Sequence, residues 1–123
     1  MKVMSFALTD DQKALKTAVY DLCKQYTGEY WRELDTKREY PDAFINDLTK
    51  AGYLAVLIPQ EYGGAGLGVT EAALILEEIN RSGGNGGACH AQMYIMGTVL
   101  RHGSEPQKRQ YLPKLAKIGR AHV

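Results

Sequence analysis

The chain has 123 residues, enough for one domain with a modest core. Its 45% hydrophobic and 24% charged residues are ordinary for a globular protein and argue against disorder. Fifteen Lys and Arg against fourteen Asp and Glu leave a formal net charge of +1, and no basic stripe interleaved with aromatics stands out, so nucleic acid is not an expected partner.

Cys23 and Cys89 lie far apart in the sequence and read as buried thiols in a reducing compartment rather than as a disulfide framework. The first residues, Met1 to Phe6, lack the apolar core and small-residue cleavage site of a signal peptide, and no run approaches the ~18 apolar residues of a membrane span. The expected location is therefore the cytoplasm, with no membrane span.

Taken in order, Thr9 with Gln12 has the spacing of a capping box, and Asp10 and Asp11 suit the positive end of a helix dipole. Leu15, Val19, Leu22, Cys23 and Tyr26 then recur at helical steps and predict one buried face. Beyond Gly28, Tyr30, Trp31 and Leu34 keep helical spacing, which predicts an extension of this first helix followed by a linker. Pro41 suits a first helical position, and Phe44, Ile45, Leu48 and Ala51 predict a short amphipathic helix closed by Gly52. Tyr53 to Ile58 is apolar and short, and is expected to be a buried extended connection.

Residues 59–68, Pro-Gln-Glu-Tyr-Gly-Gly-Ala-Gly-Leu-Gly, form a glycine-rich loop without the Gly-Lys-Ser/Thr of a phosphate-binding P-loop, so a tight backbone turn is all it implies. Thr70 is expected to cap the next helix, with Ala73, Leu74, Leu76 and Ile79 inward, Glu77 and Glu78 outward, and Ser82-Gly83-Gly84 as its end. The stretch from Gly83 to Gly103 is apolar on nearly every side, which predicts a central helix enclosed by neighbours, with Gly97 and Ala91 leaving room for a close approach. Arg101 and His102 followed by Gly103 predict a left-handed stop. Ser104 and Gln107 form a second capping box; Tyr111, Leu112 and Leu115 are expected inside, and Pro113 is expected to kink or restart the last helix. The fold class that follows is all-α: a compact bundle of about five helices with a glycine-rich loop.

Chemistry-bearing constellations are sparse. Zinc between Cys89, His90 and His102 is disfavoured, because adjacent side chains diverge on a helix and no fourth ligand is spaced for tetrahedral binding. Glu77 with Glu78 and Asp10 with Asp11 are sequence neighbours, which do not face each other on a helix and so do not suit paired acid-base work. Ser82 and Ser104 lack a positioned base, and no catalytic residue is expected in this chain.

Residues 58–68 with Glu71 and Leu76-Glu77-Glu78-Ile79 closely resemble the N-terminal domain of the acyl-CoA dehydrogenases. Phe6 to Thr9 with Gln12, Leu48 to Gly52, and Gly103 followed by Gln107-Lys108 and Tyr111-Leu112-Pro113 fit the same family in the same order, from about Phe6 to Ala116. The resemblance implies a fragment of a flavoenzyme that removes two hydrogens from the α and β carbons of an acyl-CoA, passing a hydride to FAD and electrons to an electron-transfer flavoprotein or similar acceptor. It also implies that a middle β domain makes most FAD contacts, that a C-terminal helical domain supplies the catalytic carboxylate, and that the full-length parent is a homo-oligomer, dimer or tetramer. In relatives, positions matching Gly87, His90, Ala91 and Tyr94 face the acyl chain; core packing is the alternative role for these four. Residues 1–117 are expected to be the domain and 118–123 a non-native or read-through tail. The rival reading is a stand-alone helical module that binds an acyl chain or a protein partner without catalysis.

Overall fold

A computed structural model describes residues 6–118. Among them are six α-helices, two single-turn 3-10 segments and no strand. Helix α1, Asp10–Cys23, starts at the expected capping box: Gln12 N donates to Thr9 Oγ1 (3.1 Å) and Thr9 N donates to Gln12 Oε1 (3.0 Å). Val19 and Cys23 are buried, with Leu15, Leu22 and Tyr26 packed at their margins.

The expected extension of α1 is instead a separate helix, α2, Gly28–Lys37, which accounts for a sixth helix where about five were expected. The break lies at 24–27, where Tyr26 N turns back to Cys23 O and Thr27 is extended (φ −76, ψ 170). Tyr26 sets this geometry. Its hydroxyl bonds the Asp47 carboxylate and sits 3.1 Å from Ala43 O, while its ring stands edge-on to Tyr30 (4.8 Å) and Phe44 (5.2 Å). Trp31 closes the aromatic cluster against Phe44 at 4.9 Å. Helix α2 ends at Arg38, the described non-glycine residue with positive φ (56°), whose left-handed cap lets Glu39 N reach Leu34 O at 3.0 Å.

Helix α3, Asp42–Lys50, buries Phe44, Ile45 and Leu48 and is closed by Gly52 as expected, Gly52 being left-handed (φ 85); Pro41 is its N-cap rather than its first residue, and Ala51, expected inside, is exposed. Within residues 53–58, Leu54, Ala55, Val56 and Ile58 are buried and Tyr53 and Leu57 half-buried, but the stretch is not extended. Tyr53–Ala55 is a 3-10 turn, with Ala55 N bonding Gly52 O and Ile58 N bonding Ala55 O. An isolated extended strand would strand its polar backbone in the core, so the chain coils to pair it. The glycine-rich loop supplies the remaining partners: Ala65, Gly66 and Leu67 N–H groups donate to Ala55, Ile58 and Val56 carbonyls at 2.8–3.1 Å. Gly64 makes this fold-back possible, since a Cβ there would lie 2.0 Å from Ile58 O.

Helix α4, Val69–Arg81, begins at Gly68, so Thr70 lies inside it and caps nothing. Its buried face is Ala72, Leu74, Ile75, Glu78 and Ile79; Ala73 is exposed and Leu76 half-buried, a rotation from the expected set. Gly83 (φ 87) ends the helical stretch as expected. Helix α5, Gly87–His102, inserts Cys89, Gln92, Met93 and Met96 into the core. Gly103, expected to be left-handed, is extended (φ −73, ψ 149); its need for glycine comes from crowding, since a Cβ would lie 2.5 Å from Val99 O.

Helix α6, Glu105–Ile118, carries its Ser104 capping box, with Gln107 N donating to Ser104 Oγ at 3.3 Å and Ser104 N to Gln107 Oε1 at 2.9 Å. It runs unbroken through Pro113, which is exposed and so keeps its ring out of the core. Leu112 and Leu115 face inward, but Tyr111 is 46% exposed rather than internal. Buried Gln92 ties three elements together, its Nε2 donating to Leu54 O (3.3 Å) and Leu115 O (2.9 Å). The tail expected at 118–123 lies, apart from the backbone of Ile118, outside the described residues.

Candidate functional site

The four residues singled out by resemblance all lie on one side of α5. Gly87, Ala91 and Tyr94 follow at i, i+4 and i+7, and His90 flanks them, so one helix face carries all four. Gly87 N is held by Asn85 Oδ1 (2.9 Å), which orders the first turn. His90 and Tyr94 meet edge to face with ring centroids 5.3 Å apart.

This face is open. Tyr94 is 55% exposed, Gly87 and His90 are exposed, and Ala91 is half-buried. The expectation that neighbours enclose α5 fails for this side among the described residues: Cys89, Gln92, Met93 and Met96 are buried in the bundle, while Gly87, His90 and Tyr94 on the opposite side are exposed. Gly87, His90 and Tyr94 thus take no part in the core formed by the described residues. Toward its C-terminal end the same face runs into a groove of about 260 Å³ walled by Thr98, His102, Gly103, Gln107 and Tyr111. The arrangement offers an aromatic and small-residue surface for an apolar body, with two histidines as polar contacts.

Neither thiol suits nucleophilic work. Cys23 and Cys89 are buried and free, and burial pushes both thiols up, that of Cys89 to about 12. Among the described residues no cluster of three or more His, Cys, Asp or Glu is placed to hold a metal.

Sequence reasoning placed Glu78 outside; the structure buries it completely (0% exposed) between α1 and α4. Arg81 donates through Nε and Nη2 to Glu78 Oε2 (3.0 and 2.8 Å), and Lys16 Nζ lies 3.4 Å from Oε1 as an ion pair without hydrogen-bond geometry. Burial pushes the Glu78 carboxyl up, but Arg81 and Lys16 outweigh it and hold it below the usual carboxylate range. The signal was present: Glu78 sits four residues after Leu74 and three after Ile75, on the buried stripe.

A flavin dinucleotide has no cradle among these residues. A groove of about 510 Å³ between α1 and the glycine-rich loop has room, but Asp11 and Glu71 in its wall oppose a diphosphate.

The six helices and the uncovered α5 face define an all-α domain with one unpartnered wall. This chain belongs to the acyl-CoA dehydrogenase family: the sequence pattern described as "Acyl-CoA dehydrogenase, N-terminal domain" matches residues 9–118. It is 34% identical over 113 residues to the mitochondrial isovaleryl-CoA dehydrogenase of Bos taurus, which covers 88% of this chain and 26% of that protein. It is 32% identical to acyl-CoA dehydrogenase FadE12 of Mycobacterium tuberculosis, over 91% of this chain and 29% of that protein. Among solved structures, glutaryl-coenzyme A dehydrogenase in complex with glutaryl-CoA is similar at a TM-score of 0.78 and 27% identity, over 94% of this chain and 31% of that one. A chain from a structure of the electron transferring flavoprotein of Acidaminococcus fermentans is similar at a TM-score of 0.76 and 25% identity, over 98% of this chain and 32% of that one. The chain thus spans between a quarter and a third of the length of these relatives. No described helix is long and apolar enough to cross a membrane.

Proposed function

We propose that this chain is the N-terminal helical domain of a longer flavin-dependent acyl-CoA dehydrogenase, and that the open face of α5 forms one wall of its acyl-chain pocket. In this reading Gly87, His90, Ala91 and Tyr94 contact the acyl chain, and residues 1–117 form the domain. FAD, absent from any cradle here, is bound mainly by the rest of the parent protein, where it accepts the hydride. The parent acts on an acyl-CoA, passes electrons to an electron-transfer flavoprotein or similar acceptor, and assembles as a homo-oligomer. The observation that carries the reading is the pairing of exposed Tyr94 with His90 on a helix whose other side buries Cys89, Gln92, Met93 and Met96 in the core. An aromatic surface of this kind is expected where a further element or ligand excludes water.

The test reads genomic sequence beyond codon 117 and assays the product. The expected result is an in-frame β-rich domain followed by more helices, giving a yellow protein that reduces an artificial acceptor with acyl-CoA. A stop codon at that point would overturn the proposal and favour a stand-alone module that binds an acyl chain or a protein through the same face.

A further inference from the structure

On the far side of α1 from the glycine-rich loop lies a groove of about 340 Å³, walled by Leu8, Lys13, Lys16, Tyr20, Glu78 and Arg81 among others. Three cations meet one carboxylate there. The carboxylate is engaged: Glu78 is buried beneath the groove and binds Arg81 and Lys16. Arg81 is also gripped from its face, with its guanidinium carbon 4.9 Å from the Tyr20 ring centroid. Two of the five N–H donors of a guanidinium go to Glu78, so three remain on a group whose orientation is already fixed. Lys13, one turn before Lys16 and Thr17, is exposed and its ammonium has no partner among the described residues.

We propose that this groove binds a phosphate-bearing anion, held bidentately by Arg81 with Lys13 and Lys16 on its flank. The planar fork of Arg81 matches two phosphate oxygens, and its clamp by Glu78 and Tyr20 lowers the ordering cost of binding. One carboxylate, Glu78, lies in the wall itself, where its charge is already met by Arg81 and Lys16, leaving the three cations in excess. Glu77, which does not wall the groove, takes part of the Lys16 charge at 3.3 Å, and Lys24, 6.0 Å from the Tyr20 ring, is paired with Asp21 at 3.1 Å. The same chemistry is presented by a soluble diphosphate and by a lipid headgroup.

The test is a titration of the 123-residue chain with inorganic pyrophosphate, followed by amide NMR, beside flotation with phosphatidylcholine vesicles with and without phosphatidic acid. The expected result is saturable shifts confined to residues around 13–20 and 78–81. Lys13→Ala should weaken binding about threefold, the scale of one exposed ion pair. Arg81→Lys, which keeps the charge and loses the fork, should weaken it further. Flotation that depends on phosphatidic acid and is weakened by Lys13→Ala supports the site with a lipid source; shifts with pyrophosphate alone support a soluble one. If Lys13→Ala leaves both readouts unchanged, or shifts spread over all lysine-bearing surfaces, the proposal is overturned. Lys13 has no partner to lose, so its variant keeps the test sharp should Arg81→Lys fail to fold.

Discussion

Tyr94 stands edge-on to His90 at 5.3 Å and 70° between ring planes, with both residues on the side of α5 that turns away from the core. The pair orders an aromatic surface without a described partner to cover it. Exposed aromatic area of this kind drives association and takes up hydrophobic dyes. The isolated chain is expected to self-associate by light scattering and to brighten such a dye, and Tyr94→Ser should reduce both. A monomeric chain that leaves the dye dark would contradict this.

Ala91 lies between the two ends of that face, half-buried. If the proposed pocket wall is right, Ala91→Phe in a full-length parent should fill space beside the acyl chain and depress kcat/KM for longer acyl-CoAs before shorter ones. Each methylene of the acyl chain that loses its room corresponds to about 1–3 kcal/mol of discrimination. Equal loss across chain lengths would point to misfolding.

Glu78 carries a pH signature. Because its folded carboxyl is held below the usual range by Arg81 and Lys16, its contribution is fully present above the unfolded pKa and is lost as pH falls from about 4 through the lower folded value. Glu78→Gln should cost about 1.5–3 kcal/mol near neutral pH, the worth of hydrogen bonds to a buried charged group. Denaturant melts at neutral and strongly acidic pH should show the gap between wild type and variant closing in acid. A constant gap would mean that packing alone is lost.

Two glycines should respond in opposite directions to Ala. Gly64→Ala places a Cβ 2.0 Å from Ile58 O, backbone that cannot swing aside, and should cost about 1–3 kcal/mol or unfold the chain. Gly97→Ala meets nothing within 4 Å in mid-helix and should stabilise the isolated chain by about 1 kcal/mol. Thermal melts of the two variants decide it.

The chain by itself should neither retain FAD nor dehydrogenate an acyl-CoA. The described residues offer no cradle for the flavin, and near-attack geometry between a base, a substrate and a flavin is worth ~7–11 kcal/mol that a loosely held cofactor does not supply. After incubation with FAD and desalting, the protein should be colourless and inactive with acyl-CoAs and an artificial acceptor. A yellow protein bleached by substrate would refute this.

Local signals survived into the structure wherever the cause was local. The Thr9–Gln12 and Ser104–Gln107 boxes, the helix ends at Gly52 and Gly83, and the burial of Val19, Cys23, Phe44, Ile45 and Leu48 follow from residues within one turn of each other, and the sequence shows them directly. The helical class and the family resemblance were legible for the same reason, being patterns along the chain. The readings that moved were those settled between elements. Tyr26 breaks α1 from α2 because Asp47 and Phe44, about twenty residues on, hold it. Residues 53–58 coil because their carbonyls pair with a loop that returns from Gly64 to Leu67. Glu78 turns inward because Lys16, sixty-two positions earlier, stands opposite it. Apolar composition could not say that α5 would be open on the Tyr94 side, because enclosure depends on which faces the other helices leave uncovered, and that follows from long-range packing rather than from periodicity.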